Sequence, residues 1–173
     1  ADTYTYSGGS NIVSPINNTI YQVTGTSSLG CAASNTVQSN VIVNATPSIT
    51  VNNGAICAGQ SFTLIPNGAD TYTYSNGSNV VAPNSTTSYT VSGTSSLGCI
   101  SSNNAISTIT VNSLPTIVVV SSKQNICNGE SAILSASGAL TYLWSNAAIS
   151  TSISVNPIAT TVYSVGGIDA NGC

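Results

Sequence analysis

The stretch Ala1-Asp2-Thr3-Tyr4-Thr5-Tyr6-Ser7 returns letter for letter as Ala69-Asp70-Thr71-Tyr72-Thr73-Tyr74-Ser75. It recurs in altered form as Ala139-Leu140-Thr141-Tyr142-Leu143-Trp144-Ser145. A period near seventy residues marks a tandem array whose unit is long enough to be a small domain. The register persists beyond the heptapeptide. Thr26-Ser27-Ser28-Leu29-Gly30-Cys31 matches Thr94-Ser95-Ser96-Leu97-Gly98-Cys99, Pro47 matches Pro115, and more than half of positions 1–47 are identical in 69–115. In the third copy Ile56-Cys57-Ala58-Gly59 becomes Ile126-Cys127-Asn128-Gly129 at a slightly larger offset, and Pro83 becomes Pro157 at a larger one still. The added residues fall between fixed points, where a surface loop tolerates insertion. Residues 48–115 therefore read as one complete repeat, 1–47 as the C-terminal part of the repeat before it, and 116–173 as the N-terminal part of the next. A longer polypeptide is expected.

Within the complete repeat, apolar residues alternate with polar ones in short runs. Ile49 and Val51 alternate, as do Phe62 and Leu64, Tyr72 and Tyr74, Tyr89 and Val91, and Ile109 and Val111. Pro66-Asn67-Gly68 and Ser75-Asn76-Gly77 punctuate these runs. Period-two alternation between Asn, Gly and Pro turns signals half-buried antiparallel strands. Thr, Val, Ser and Asn dominate and no 3.6-residue periodicity appears, which argues against helices. Six or seven short strands in about seventy residues point to an all-β chain, a tandem array of small antiparallel β-sandwiches. Tyr21, Tyr89 and Tyr163 each stand two before a valine, and Tyr74 corresponds to Trp144. Core packing is the expected role of these aromatics, ahead of carbohydrate stacking.

Charge is nearly absent. Only 3 % of residues are charged, namely Asp2, Asp70, Lys123, Glu130 and Asp169, against about 25 % in ordinary soluble domains. With no basic patch, nucleic acid is a poor partner. No apolar run is long enough for a membrane-spanning helix, and a signal peptide is expected upstream. Disorder combines low hydrophobicity with high net charge, whereas 41 % of this chain is hydrophobic and its net charge is −3. So few ionic groups leave little repulsion between copies, and self-association is expected.

A seventy-residue sandwich with few large apolar side chains is marginal alone. Neighbouring copies and cysteines are the visible aids. Cys57 and Cys127 sit in Ile-Cys-X-Gly, whereas Cys31, Cys99 and Cys173 follow a glycine, ten residues after Tyr21, Tyr89 and Tyr163. One of each type per copy gives the expected bonds Cys57–Cys99 and Cys127–Cys173, with Cys31 left to a partner upstream. The alternative joins adjacent copies, Cys57 to Cys173, and requires the two cysteine loops of a copy to lie at opposite poles. Metal binding would want clustered Cys and His, but there is no His and no Cys-X-X-Cys. Disulfides imply an oxidising, extracellular place.

Catalysis finds no footing. General acid–base chemistry usually uses His or a tuned carboxylate, and four acidic residues spread over three copies cannot recur as a pair. No base is available to activate Ser or Thr. Lys123, the only lysine, cannot supply an isopeptide bond in each copy, and the junctions at Pro47 and Pro115 lack the carboxylates of a calcium site. No enzyme activity, cofactor or metal is expected. Asn17, Asn44, Asn76 and Asn84 stand in Asn-X-Ser/Thr triplets, which a chain this rich in Asn, Ser and Thr produces by composition as readily as for glycosylation.

The block Gly138–Ser145, followed by Ser152-Ile153-Ser154-Val155-Asn156-Pro157, Thr160–Val165 and Asp169-Ala170-Asn171-Gly172-Cys173, resembles the immunoglobulin-like, polycystic-kidney-disease-type repeats of giant secreted Bacteroidetes surface proteins, among them adhesin and gliding-motility proteins. The resemblance spans essentially the whole chain. It implies a sandwich fold, export and a place on the cell surface, and it names no ligand. Three functions follow as expectations: a structural rod or filament used in adhesion, a module binding surface polysaccharide or another cell, and a stalk carrying a distant enzyme domain. Near-identical copies favour the rod, because a specific site needs only one good copy and a rod needs many equivalent ones.

Overall fold

The computed structural model describes residues 1–173, and every regular element in it is a strand. The first copy forms β1 (Thr3–Tyr6), β2 (Thr19–Thr26) and β3 (Val37–Val41), a three-stranded antiparallel sheet in that order. The second copy holds β4 (Thr50–Val51), β5 (Gly54–Cys57), β6 (Phe62–Thr63), β7 (Pro66–Asn67), β8 (Thr71–Tyr74), β9 (Val80–Val81), β10 (Thr87–Thr94) and β11 (Ala105–Asn112). The third holds β12 (Val118–Ser121), β13 (Ala132–Ser137), β14 (Thr141–Trp144), β15 (Ser152–Val155) and β16 (Val165–Ile168).

The middle copy carries a four-stranded sheet, β5-β11-β10-β8, and two short ribbons, β4-β7 and β6-β9. All its pairings are antiparallel except one, β5 on β11, in which Cys57 faces Asn112. Side chains of the sheet and the ribbons share one core. Ile56 and Ile109 from the sheet pack with Leu64 and Val81, flanked by Val51, Phe62, Tyr74 and Tyr89. Ile49, Val91 and Ala105 form a second cluster. Burying Val91 and Ile109 completely contributes about 1.5–3 kcal/mol each. Among the residues that alternate along the sequence, Leu64 and Val91 are buried, while Phe62, Tyr72 and Tyr89 are half-buried at the margins.

Repetition of sequence is repetition of geometry. Tyr6 pairs with Val23 as Tyr74 pairs with Val91, and Trp144 takes the same place against Val165. Trp144 is the deepest side chain of the third core, with Tyr142, Ile153, Val155, Ala132 and Ala136, and its indole N–H donates to the Ser150 carbonyl. Tyr142 folds its hydroxyl back on Ala139, donating to the carbonyl and accepting from the amide N–H; Tyr72 makes the same clasp on Ala69. No apolar side chain of residues 1–47 belongs to a buried cluster.

One proline accounts for the chief difference between copies. In the third copy β12, β13 and β15 form a continuous sheet, and the Ala136 amide N–H donates to the Thr151 carbonyl at 2.8 Å. Pro66 occupies the matching position in the second copy. Proline has no amide N–H, so the counterpart of the Ala136 bond is missing, and the segment is divided at Leu64 and Ile65 into β6 and β7, each pairing separately. The Asn52 side chain spans the break, donating to the Thr63 carbonyl and accepting from the Ile65 amide.

Candidate functional site

The cysteines and the carboxylates cluster in two kinds of tight loop. The Ile-Cys-X-Gly element is a tight turn closed by an amide–carbonyl bond, Gln60 to Cys57 in one copy and Glu130 to Cys127 in the next. Gly59 sits at φ 88°, a left-handed conformation that glycine adopts without steric cost. The second loop type follows β10 or β16. Ser95 donates its amide to Cys99, Asp169 donates its amide to Cys173, and the glycine before each cysteine is again left-handed.

All four carboxylates of the chain serve these loops. Asp2 accepts the Ser28 amide at 2.6 Å and Asp70 accepts the Ser96 amide at 2.6 Å, steadying the loops of Cys31 and Cys99. Asp169 accepts the amides of Cys173 and Asn171, and Glu130 accepts that of Cys127. The Cys173 amide, foremost, holds the Asp169 carboxyl below its ordinary value of 3.8, with the Asn171 bonds adding to it against a smaller opposing effect of burial. Lys123 meets Glu130 at 3.5 Å on the surface, the chain's one ion pair. No three of the Cys, Asp and Glu side chains converge as metal ligands would. A groove of about 370 Å³ lies in the third copy between the loop around Lys123 and the segment Pro157–Thr161.

The bonded pair is Cys57–Cys173, with Cα atoms 5.5 Å apart. This corrects the expected Cys57–Cys99 and Cys127–Cys173 bonds, since Cys99 and Cys127 are free thiols, as is Cys31. Strand direction is the reason. Cys57 ends a strand parallel to β11, beside Asn112 at the end of β11, whereas Cys99 follows β10, which is antiparallel, and lies at the start of β11. The length of β11 separates these poles by roughly 24 Å, far beyond the limit of about 7 Å for bridging Cα atoms. The Cys173 loop instead stands where the chain enters the third copy, since the Ile117 side chain lies against Gly167 of β16. The bond therefore joins the exit pole of one copy to the near pole of the next. Closing a loop across 116 residues contributes about 5 kcal/mol in the chain-entropy model.

One polar clamp escaped sequence reasoning. The Asn103 amide accepts from the Ile49 N–H at 3.0 Å and donates to its carbonyl at 2.9 Å, fastening the segment after Pro47 to the loop that follows Cys99. Only the recurrence of Asp2 as Asp70, in a chain with four acids, was a signal for the carboxylate caps.

No family model matches the chain, and no curated protein matches it in sequence. Among solved structures, a Ca2+-stabilized adhesin that helps an Antarctic bacterium reach out and bind ice is similar at 16 % identity and a TM-score of 0.34. The likeness covers 90 % of this chain and 47 % of that one, so this chain spans about half the adhesin's length.

Proposed function

We propose that this chain is the structural repeat region of a secreted bacterial surface protein, a non-enzymatic array of immunoglobulin-like sandwiches in series that forms a rod-like stalk or filament used in adhesion. The observation that carries the reading is the Cys57–Cys173 bond. It staples consecutive copies at their shared junction, which limits bending there and does nothing for an isolated module. Recurrence of strand register between copies supports equivalent units along an axis. The sharing of one core by the four-stranded sheet and the ribbons supports the sandwich, and the disulfide supports an extracellular location.

With strands of roughly 20 Å plus loops, each copy advances the rod by about 35–45 Å. Lateral contacts fall to neutral and apolar groups. β12 is an edge strand whose Val118, Val119 and Val120 are exposed, and uncharged edges of this kind pair readily. Electron microscopy and light scattering across a salt series test the proposal. Rods or fibres that persist from low to high ionic strength are expected, since a single exposed ion pair contributes at most about 1 kcal/mol. A monodisperse, flexible monomer at every salt concentration, or fibres that dissolve in moderate salt, would sink it.

A further inference from the structure

At the junction of the second and third copies the staple is built in a definite way. β5 runs parallel along β11, sets Cys57 opposite Asn112, and is held there by the Ala58 amide donating to the Asn112 carbonyl. Cys173 of the next copy then reaches Cys57. The junction of the first and second copies reproduces one side of this arrangement. β3 is the counterpart of β11 one repeat earlier. Thr19 faces Val41 as Thr87 faces Ile109, and Tyr21 faces Ser39 as Tyr89 faces Ser107. Asn44 is thus the counterpart of Asn112, and the Cys99 thiol lies 4.0 Å from its carbonyl oxygen. Cys99 stands at this junction as Cys173 stands at the other. The edge of β3 that faces Cys99 corresponds to the edge of β11 on which β5 pairs.

We propose that β3, with Cys99 at the end of its edge, receives a strand of the Ile-Cys-X-Gly type in parallel, closed by a disulfide to Cys99. The register follows from β5 on β11. The incoming Gly-Ala-Ile-Cys residues lie opposite Val41, Ile42, Val43 and Asn44, which sets the incoming cysteine beside Cys99. Strand pairing supplies the selectivity, because main-chain bonds hold the strand while one alternate side chain, the isoleucine, turns to the apolar face. Bond formation is an ordinary oxidation: two thiols give up two protons and two electrons to a disulfide donor, which leaves as two thiols, and one S–S bond forms. Applied along an array, the rule bonds each Ile-Cys-X-Gly cysteine to the Gly-Cys cysteine of the following repeat. Cys31, Cys99 and Cys127 are then each half of such a staple. The inference holds whatever the array adheres to.

The test uses the 173-residue chain with Cys57–Cys173 intact. The probe is a peptide of sequence Gly-Ala-Ile-Cys-Ala-Gly-Gln whose cysteine is activated as a thiopyridyl disulfide, so that attack by a protein thiolate forms the mixed disulfide and releases thiopyridone. Glutathione activated in the same way reports intrinsic access. Cys31 and Cys127 are exposed and Cys99 is partly buried, so glutathione should label Cys99 slowest. The strand peptide should reverse that order, labelling Cys99 at least about tenfold faster than Cys31 or Cys127, as read by mass spectrometry. A scrambled peptide of the same composition should not reverse it. Retention of the glutathione order with the strand peptide, or equal reversal by the scrambled one, overturns the proposal.

Discussion

Asp169 shows what a carboxylate does in a chain with almost none. Its oxygens accept the Cys173 and Asn171 amides, so the ionised form is favoured in the folded loop and the carboxyl titrates below 3.8. A depressed folded value means that the contribution is fully present above 3.8 and is lost as the pH falls through the folded value. The Cys173 amide resonance should therefore be constant from neutral pH down to about pH 4 and move below it. Asp169→Asn should abolish that titration and speed reduction of Cys57–Cys173 by dithiothreitol. Unchanged reduction kinetics would show that the loop does not need its cap. At the same scale, Asn103→Ala removes both bonds to Ile49 and should cost about 1–3 kcal/mol in the middle copy, read by local hydrogen exchange.

The elements differ in what they depend on. In β13 the Ala136 amide N–H bonds across the sheet, whereas Pro66 lacks that donor and the Asn52 side chain fills the gap between β6 and β7. Ala136→Pro should divide β13 and leave the Thr151 carbonyl without its partner, at a cost of about 1–3 kcal/mol. Trp144 is the only tryptophan and lies in the third core, so its fluorescence reports that copy alone. The Ala136→Pro midpoint in urea should fall when followed by Trp144 fluorescence. Ile109→Ala, a change of about 2–5 kcal/mol in the second core, should leave the same midpoint nearly in place. Equal shifts for both variants would mean that the copies unfold as one cooperative unit, against the near-neighbour behaviour of repeat arrays.

For the molecule as a whole, the staple can be read on a gel. Lys123 is the only tryptic site and lies between β12 and β13. One cut there leaves Cys57 in one fragment and Cys173 in the other. Trypsin should thus give a single band of unchanged mass without reductant and two fragments with it. Bonds confined to single copies would release the fragments without reduction.

What the sequence by itself determined is local or periodic. Alternation at Phe62 and Leu64, or at Tyr89 and Val91, follows from side chains pointing to opposite faces, so the strands and the β class were legible. The recurrence of Ala1–Ser7 exposed the repeated strand register of Tyr6 on Val23 and Tyr74 on Val91, and the sparse charge exposed the absence of an ionic surface. The cysteine pairing lay elsewhere. Spacing places Cys57 and Cys99 in one copy, but which pole each occupies depends on β5 running parallel to β11 while β10 runs against it. Strand direction across a sheet is a long-range property that no count along the chain contains. The clamp of Asn103 on Ile49, far apart in the chain, belongs to the same class. Only the tertiary structure brought Cys173 to Cys57, because only there do the end of one copy and the beginning of the next meet.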